Sequence, residues 1–465
     1  MKFKTKSTGP GGIFIEARRL TASDPIIKTH LPALVRLPML QDSGKPARAI
    51  VSAGDHVEEG QVIGEAPDSN SANIHASVSG KVISVEKGPG YKNIETDIVT
   101  ISTGGTIKNW YGKKYDAGGL TPEQMMGEIR QSGVVSMDSG LYCTPAQQKL
   151  AGITAKEKID TLIVNAVESL PYLTSGRCII MEKPADLIDG IRLVMKITGA
   201  KDAVIAVEEE KKRSVKPAKP AEPVESAEPS AAEILLSAIR DKPDIRVEVL
   251  KTRSLTGRRE HYPLDSEGKL ILALMKKELP AGKKPREIGI AVENVSTIMA
   301  IYEALVYKKP MIERLITYTG DFVAKRGNYK VRIGTPIRLI IEEFGMPSGK
   351  GSGPVIAGSP MTGMEITDMN TPVMKNTPGI VVLSKRQDYK ALDRPCIRCS
   401  RCQESCPMML RPARLAALCR EDDFKEAWKS GLGQCIECGA CSYICPSKIP
   451  ITAILRYGRS VNGSL

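Results

Sequence analysis

The chain has 465 residues, 42% of them apolar and only 4% aromatic, and a formal charge of +13. That length exceeds one ordinary domain and predicts three or four, with sheet cores built mostly from Val, Ile and Leu. No apolar run approaches the 18 or so residues of a membrane span, and the N-terminal "MKFKTKSTGPGGIFIEARRL" lacks the apolar stretch of a secretory signal.

The basic residues are spread along the chain without interleaved aromatics. That pattern argues against nucleic acid and for an anionic membrane face or an acidic redox partner. Nine of the eleven cysteines lie between Cys396 and Cys445. Such clustering in a chain without a signal points to metal and a reducing, cytosolic compartment rather than disulfides.

In chain order, residues 1–40 read as a lead-in with a Gly-rich turn at Gly9 to Gly12. Residues 41–105 alternate short β-branched runs with Gly turns, which predicts a small all-β unit. Its "GDHVEEGQVIGE" and "ASVSGKV" resemble the hammerhead of biotinyl and lipoyl carriers. Those carriers modify a lysine at a hairpin tip. The tip region here, "HASVSG", has none, so the unit reads as a structural relative. His56 and His75 read as surface or turn residues.

Residues 115–305 change period. "TPEQMMGEIRQSG" predicts a helix capped by Thr121 with Pro122 in its first turn. "IDTLIVNAVE", "KDAVIAVEEE" and "IRVEVLKT" read as strands. "KPADLIDGIRLVMKITGA", closed by Gly199, and "SAAEILLSAIRD" read as helices between them. The alternation predicts a Rossmann-like parallel α/β layer. Lys211 to Ala231, rich in Pro, Ala, Lys and Glu, reads as a disordered insertion within it. Residues 308–385 predict a β-rich domain with one helix. Residues 390–465 hold the cysteines, with a helix expected across "RPARLAALCREDDFKEAWKSG".

"PCIRCSRCQESCP" and "QCIECGACSYICP" each spell C-x-x-C-x-x-C-x-x-x-C-P. Three cysteines spaced by two residues let one loop wrap three corners of a [4Fe–4S] cube. In two-cluster ferredoxins the fourth cysteine of each run serves the other cube. That assigns Cys396, Cys399, Cys402 and Cys445 to cluster 1, and Cys435, Cys438, Cys441 and Cys406 to cluster 2. The rival is a structural zinc pair, against which two full quartets with matching Pro407 and Pro446 count. Cys143, Cys178 and Cys419 fall outside both quartets and read as spare thiols.

The order and spacing of these pieces, with "PYLTSGRCIIMEKPADLIDGIRLVMKITGAKDAVIAVE", "VENVSTIMAIYEA" and "VRIGTP", resemble the RnfC component of the Rnf ion-translocating electron-transport complex. The resemblance implies a hammerhead or barrel-sandwich β domain and an α/β domain related to the NADH-binding flavoprotein of respiratory complex I. It also implies a soluble-ligand-binding β-grasp domain and a helical two-cluster ferredoxin domain. It places the chain peripherally on the cytoplasmic face of the bacterial inner membrane. Two clusters there relay electrons between NADH, ferredoxin or flavodoxin and membrane subunits that move Na⁺ or H⁺.

The flavin site departs from the family pattern. The family's loop runs roughly G-x-V-G-x-G-G-A-x-F-P-T; here it is "GVVSMDSGLYCT", with Ser136, Asp138 and Ser139 for glycines and Cys143 for a proline. "NAVESLPYLT" keeps Glu168 but has Leu170 for a second glutamate, and "YPLDSEGK" has lost two glycines and gained Asp265. Gly133, Gly140, Thr144, Lys149 and Glu168 are the positions the resemblance leaves for FMN and NADH, in an eroded site. The alternative is a soluble flavin and iron–sulfur reductase similar to the propanediol-utilisation cobalamin reductase.

Overall fold

The computed structural model describes residues 5–6, 11–138, 142–154, 158–210, 229–252, 260–280, 282–346, 352–385 and 394–462. The run "TLIVN" at Thr161–Asn165 is apolar on both faces, as suits a strand with helices above and below. It lies inside a five-stranded parallel sheet ordered Thr5–Lys6, Ile245–Leu250, Asp202–Glu208, Thr161–Asn165, Ile290–Asn294. The chain steps outward from Thr161–Asn165, then returns to lay Ile290–Asn294 on its other side. That reversal is a topological switch point, where a crevice opens beyond the carboxyl ends of the strands. Both flanking strands end in asparagine, Asn165 and Asn294.

The helices begin and end where local chemistry dictates. Thr121 accepts from Gln124 N and Ser230 from Glu233 N, each in a capping box, at the starts of Pro122–Gln131 and Ala231–Ala238. Gly199 closes Pro184–Thr198 in the left-handed region, φ 72°. The insertion expected at 211–231 lies mostly outside the described residues; Ser230 and Ala231 at its end are the cap and first residue of a helix.

Residues 34–103 form two antiparallel sheets that share one core, in which Val35, Leu37, Ile63, Ile74, Val99 and Ile101 are buried. His56 is exposed. His75 departs from expectation: it is 4% exposed in the Ile74–His75 strand. The turn at Gly133 and the Lys375 ammonium cover that strand, with Lys375 Nζ donating to Asn73 O and Gly133 O at 2.7 Å.

A six-stranded mixed sheet runs Met364–Glu365, Ser352–Ala357, Gly379–Ser384, Glu313–Gly320, Gly327–Arg332, Ile26–Lys28, with the helix Ile337–Phe344 packed on it. The first 40 residues are therefore more than a lead-in. Thr5–Lys6 edges the parallel sheet, Ile13–Ile15 pairs with Glu260–Tyr262, Ile26–Lys28 edges the mixed sheet, and Leu34–Pro38 joins the barrel. Each run is too short to form a stable sheet of its own. At the other end, the single helix expected after the first cysteine run is two, Pro412–Arg420 and Phe424–Lys429. The break falls where Asp422 takes φ 56° and Asp423 caps the second helix at Glu426 N.

Candidate metal centre and the cavity beside it

The second cysteine run repeats the first 39 residues later, and the backbone repeats with it. Positive φ occurs at Arg398 and Glu437, at Ser400 and Gly439, and at Met409 and Lys448. Arg398 N donates to Cys396 Sγ and Glu437 N to Cys435 Sγ, both at 3.4 Å. Two loops of one shape thus carry two sulfurs each, and the short helices that follow, Arg401–Glu404 and Ala440–Ile444, carry the third, Cys402 and Cys441.

Cys435, Cys438 and Cys441 line one cavity, and the fourth cysteine on its wall is Cys406, from the other run. Leu410 N donates to Cys406 Sγ at 3.4 Å, and Thr452 Oγ1 stands 3.5 Å from Cys441 Sγ. Pro407, Met408 and Leu455 complete an apolar lining. Across the repeat, Cys396 and Cys399 are exposed, Cys402 half-buried and Cys445 buried.

Among the described residues no three His, Cys, Asp or Glu side chains converge tightly enough for a single metal ion. Four thiolates on one zinc would stand roughly 3.8 Å apart, given Zn–S near 2.3 Å. Cys406, Cys435, Cys438 and Cys441 line one cavity, which suits a cube whose corners each bind one thiolate. Sulfur donors met by backbone N–H groups in an apolar wall fit a [4Fe–4S] cluster.

The crevice at the switch point is the second feature. Asn165, Val167, Glu168, Asp265, Asn294 and Arg314 are among its walls, with Met137 and Leu170. The three segments that depart from the family pattern therefore meet at one place. Glu168 is half-buried with its carboxyl turned inward, and Gly176 N and Arg177 N donate to its Oε1. Burial, with Glu208 beside it, pushes its carboxyl up to about 8. Asp265 is buried, raised by the same loss of water, and accepts from Ser169 Oγ.

Within "GVVSMDSGLYCT", Val135–Asp138 pairs antiparallel with Tyr142–Pro145. The pair is fastened to the start of the helix Val295–Tyr307. Ser136 Oγ donates to Glu293 Oε2 at 2.8 Å, Met137 N to Thr297 Oγ1 at 3.3 Å, and Asn294 Nδ2 to Met137 O. No glycine stands between residues 134 and 139 to let a backbone approach a phosphate or a flavin ring. With two buried carboxyls in the wall, the residues present do not fit FMN held by a glycine-rich loop.

The five residues expected for flavin do not converge. Glu168 lines the crevice, whereas Thr144 and Lys149 line a separate cavity with Glu267 and Glu293. There Lys149 Nζ pairs with Glu267 Oε1 at 3.0 Å. Gly133 turns at φ 61° against Asn73 and Lys375, and Gly140 lies outside the described residues. Sequence reasoning missed Asn165, Asn294 and Arg314. The two asparagines were legible, since each ends an apolar strand pattern. Arg314 was not, because it comes from another domain.

Of the spare thiols, Cys143, Cys178 and Cys419 are all buried. No helix among the described residues is long and apolar enough to cross a membrane.

Three family models match in chain order: an RnfC barrel sandwich hybrid domain over residues 7–106, a Nuo51 FMN-binding domain over 129–303, and a 4Fe-4S dicluster domain over 395–449. The chain is 32% identical over 423 residues to the C component of the proton-translocating ferredoxin:NAD(+) oxidoreductase complex of Clostridium ljungdahlii, covering 89% of this chain and 84% of that one. It is 32% identical over 430 residues to the C component of the ion-translocating oxidoreductase complex of Rhodobacter capsulatus, with coverage of 91% and 77%. A chain of an NAD+-reducing [NiFe]-hydrogenase overlays 74% of this chain and 62% of its own at 15% identity, TM-score 0.47.

Proposed function

This chain belongs to the RnfC family of ion-translocating oxidoreductase complexes, and on that premise we propose how it carries electrons and where it departs from its relatives. It is a peripheral electron-transfer subunit with a 4Fe-4S dicluster domain. We assign cluster 1 to Cys396, Cys399, Cys402 and Cys445 and cluster 2 to Cys406, Cys435, Cys438 and Cys441. With both clusters bound, the two quartets would hold one-electron carriers side by side on the path between a soluble redox partner and the membrane subunits. The chain sits on the cytoplasmic membrane face, and the mixed sheet of 313–384 with its helix reads as the β-grasp unit.

The observation that carries this reading is the single cavity shared by Cys406 and the three leading cysteines of the other run. Crossed ligation holds two cubes side by side, which a relay needs and an isolated structural metal does not. The crevice at the switch point supports a second departure: the chain takes its electrons from a donor other than NADH through FMN.

The test is anaerobic. The purified chain with reconstituted clusters is assayed for iron and extractable flavin, then given NADH and afterwards dithionite. The expected result is about eight irons per chain, following two [4Fe–4S] cubes. No FMN is extracted, NADH leaves the thiolate–iron absorbance unchanged, and dithionite bleaches it. Bound FMN with prompt bleaching by NADH would overturn the second departure and turn the reading toward a self-standing flavin and iron–sulfur reductase.

A further inference from the structure

The two halves of the dicluster unit share a backbone but not an environment. Position by position, the contrast is consistent. Glu437 is 4% exposed and pairs with Arg456 at 2.9 Å and Arg459 at 3.3 Å; its counterpart Arg398 is exposed. Gly439 lies against the mixed-sheet domain, where an added Cβ would stand 2.3 Å from Met361 O; its counterpart Ser400 is exposed. Ile436 is half-buried, whereas its counterpart Ile397 is 66% exposed. Tyr262 Oη reaches Cys438 O at 2.5 Å, and Gly12 N reaches Ser405 O at 3.0 Å. Cluster 2 is thus enclosed by the chain's own domains, and cluster 1 faces outward.

The charges around the outward loop are one-sided. Arg394, Arg398, Arg401 and Lys448 are all exposed, with Glu404 the one acid among residues 394–406. Ser447 Oγ donates to Pro395 O at 3.0 Å, which brings the Lys448 segment beside the Arg394 segment. None of the four cations makes an ion pair among the described residues. Around cluster 2, by contrast, Arg456 and Arg459 both pair with buried Glu437, which offsets one of their two charges. A basic rim with no ion pair among the described residues, around an exposed isoleucine and over a redox centre, has the make-up of a transient docking face. The apolar contact brings the centres close, and the rim steers an oppositely charged partner.

We propose that the Arg394, Arg398, Arg401 and Lys448 rim, centred on Ile397, is the docking face for an acidic one-electron carrier protein, which exchanges electrons with cluster 1. This rests on the cluster assignment above. With its cluster bound at Cys396, Cys399, Cys402 and Cys445, this face would let one electron leave the reduced carrier and one enter the cluster in each encounter. No proton and no bond changes hands.

The full chain with reconstituted clusters is mixed in a stopped-flow with a reduced acidic plant-type [2Fe–2S] ferredoxin, whose spectrum differs from that of the cubes. Reduced methyl viologen, a small cation, is the control donor. With ferredoxin the second-order rate constant should fall at least tenfold between about 0.02 and 0.5 M salt. In the triple variant Arg394→Glu, Arg398→Glu, Arg401→Glu it should fall at least tenfold at low salt. Viologen should reduce that variant at least as fast as the unaltered chain. A triple reversal elsewhere on the surface, Lys81→Glu, Arg240→Glu, Lys277→Glu, should change the ferredoxin rate less than twofold.

A ferredoxin rate indifferent to salt and to the rim variant overturns the proposal. So does loss of binding to phosphatidylglycerol vesicles in the rim variant with its ferredoxin rate intact, which would assign the rim to a lipid surface. If the variant loses iron, the salt dependence of the unaltered chain decides alone. If viologen reduces neither protein although the iron is present, the cluster assignment fails, and this face fails with it.

Discussion

Glu168 records in one side chain what the crevice has become. Its Oε1 caps the Ser175–Glu182 helix through Gly176 N and Arg177 N, but its Oε2 is buried without a hydrogen-bond partner. The carboxyl titrates near 4.5 when unfolded and is pushed up to about 8 when folded. Between those values the folded chain holds a proton that the unfolded chain has lost. Stability therefore falls as pH rises from about 4.5 to about 8 and is flat above. Glu168→Gln keeps the capping oxygen and has no proton to lose. It should match the unaltered chain in thermal unfolding at pH 4.5 and exceed it at pH 8, by an amount of the order of a few kcal/mol. Parallel unfolding profiles for the two proteins across that range would show that Glu168 is not the titrating group. Arg314 is the opposite case. It is buried in the crevice wall with Nε donating to Thr377 O, and burial lowers its guanidinium to about 10. Nothing in its local sequence announces this, since "MIERLITYTG" reads only as a strand; most of the crevice it faces is built by residues 137 to 296, with Asn376 and Pro378 beside it.

At the scale of elements, the pseudo-repeat makes a paired prediction. Gly439→Ala places a methyl against Met361 O, from a backbone at φ 81°. That should cost about 1–3 kcal/mol and loosen cluster 2. Ser400→Ala, at the equivalent turn, should leave stability and iron content within error, because its side chain meets solvent. Iron content also tests the crossing. Cys445→Ser should cost the outward cube and Cys406→Ser the enclosed one, each lowering iron from about eight to about four. Electron paramagnetic resonance of the reduced proteins should then show different survivors. If Cys445→Ser instead removed the cube nearest Tyr262, ligation would run within each motif. The quartets were legible in the sequence because chemistry fixes their spacing. So were the capped helices at Thr121 and Ser230 and the apolar strands of the parallel sheet, where local pattern and tertiary burial agree. The strand pair Val135–Asp138 with Tyr142–Pro145 and the N-terminal strands were not. The N-terminal strands find their partners far along the chain, as Ile13–Ile15 does with Glu260–Tyr262, and runs of two to four residues carry no periodicity.

At the scale of the whole molecule, the units are joined by a buried ionic knot. Lys309, 2% exposed, reaches Glu303 at 2.6 Å and Glu313 at 2.5 Å, and Lys330 reaches the same two acids at 3.2 and 2.5 Å. Tyr111 from the linker donates to Glu303 at 2.8 Å, while Arg332 and Trp110 both reach Glu59 of the barrel, at 3.0 and 2.7 Å. The knot therefore ties the barrel, the linker, the Val295–Tyr307 helix and the mixed sheet. Removing one partner strands the others in low dielectric. Lys309→Met should cost about 3–5 kcal/mol. For a unit of about 150–250 residues, that lowers the thermal midpoint by roughly 6–20 °C. The paired cations hold Glu303 below the usual carboxylate range and Glu313 down to about 2. Their contribution is full above about 4.5 and is lost as pH falls toward 2. The unaltered chain should lose stability over that acid range, and Lys309→Met should lose less, because part of the pairing is already gone. Hydrogen exchange across Glu313–Gly320 and Val295–Tyr307 distinguishes the knot from a merely local contact. Both segments should open together in Lys309→Met, although one is a strand of the mixed sheet and the other a helix of the α/β layer. Faster exchange confined to one of them would mean that the units are held by their apolar contacts, with the knot incidental to their docking.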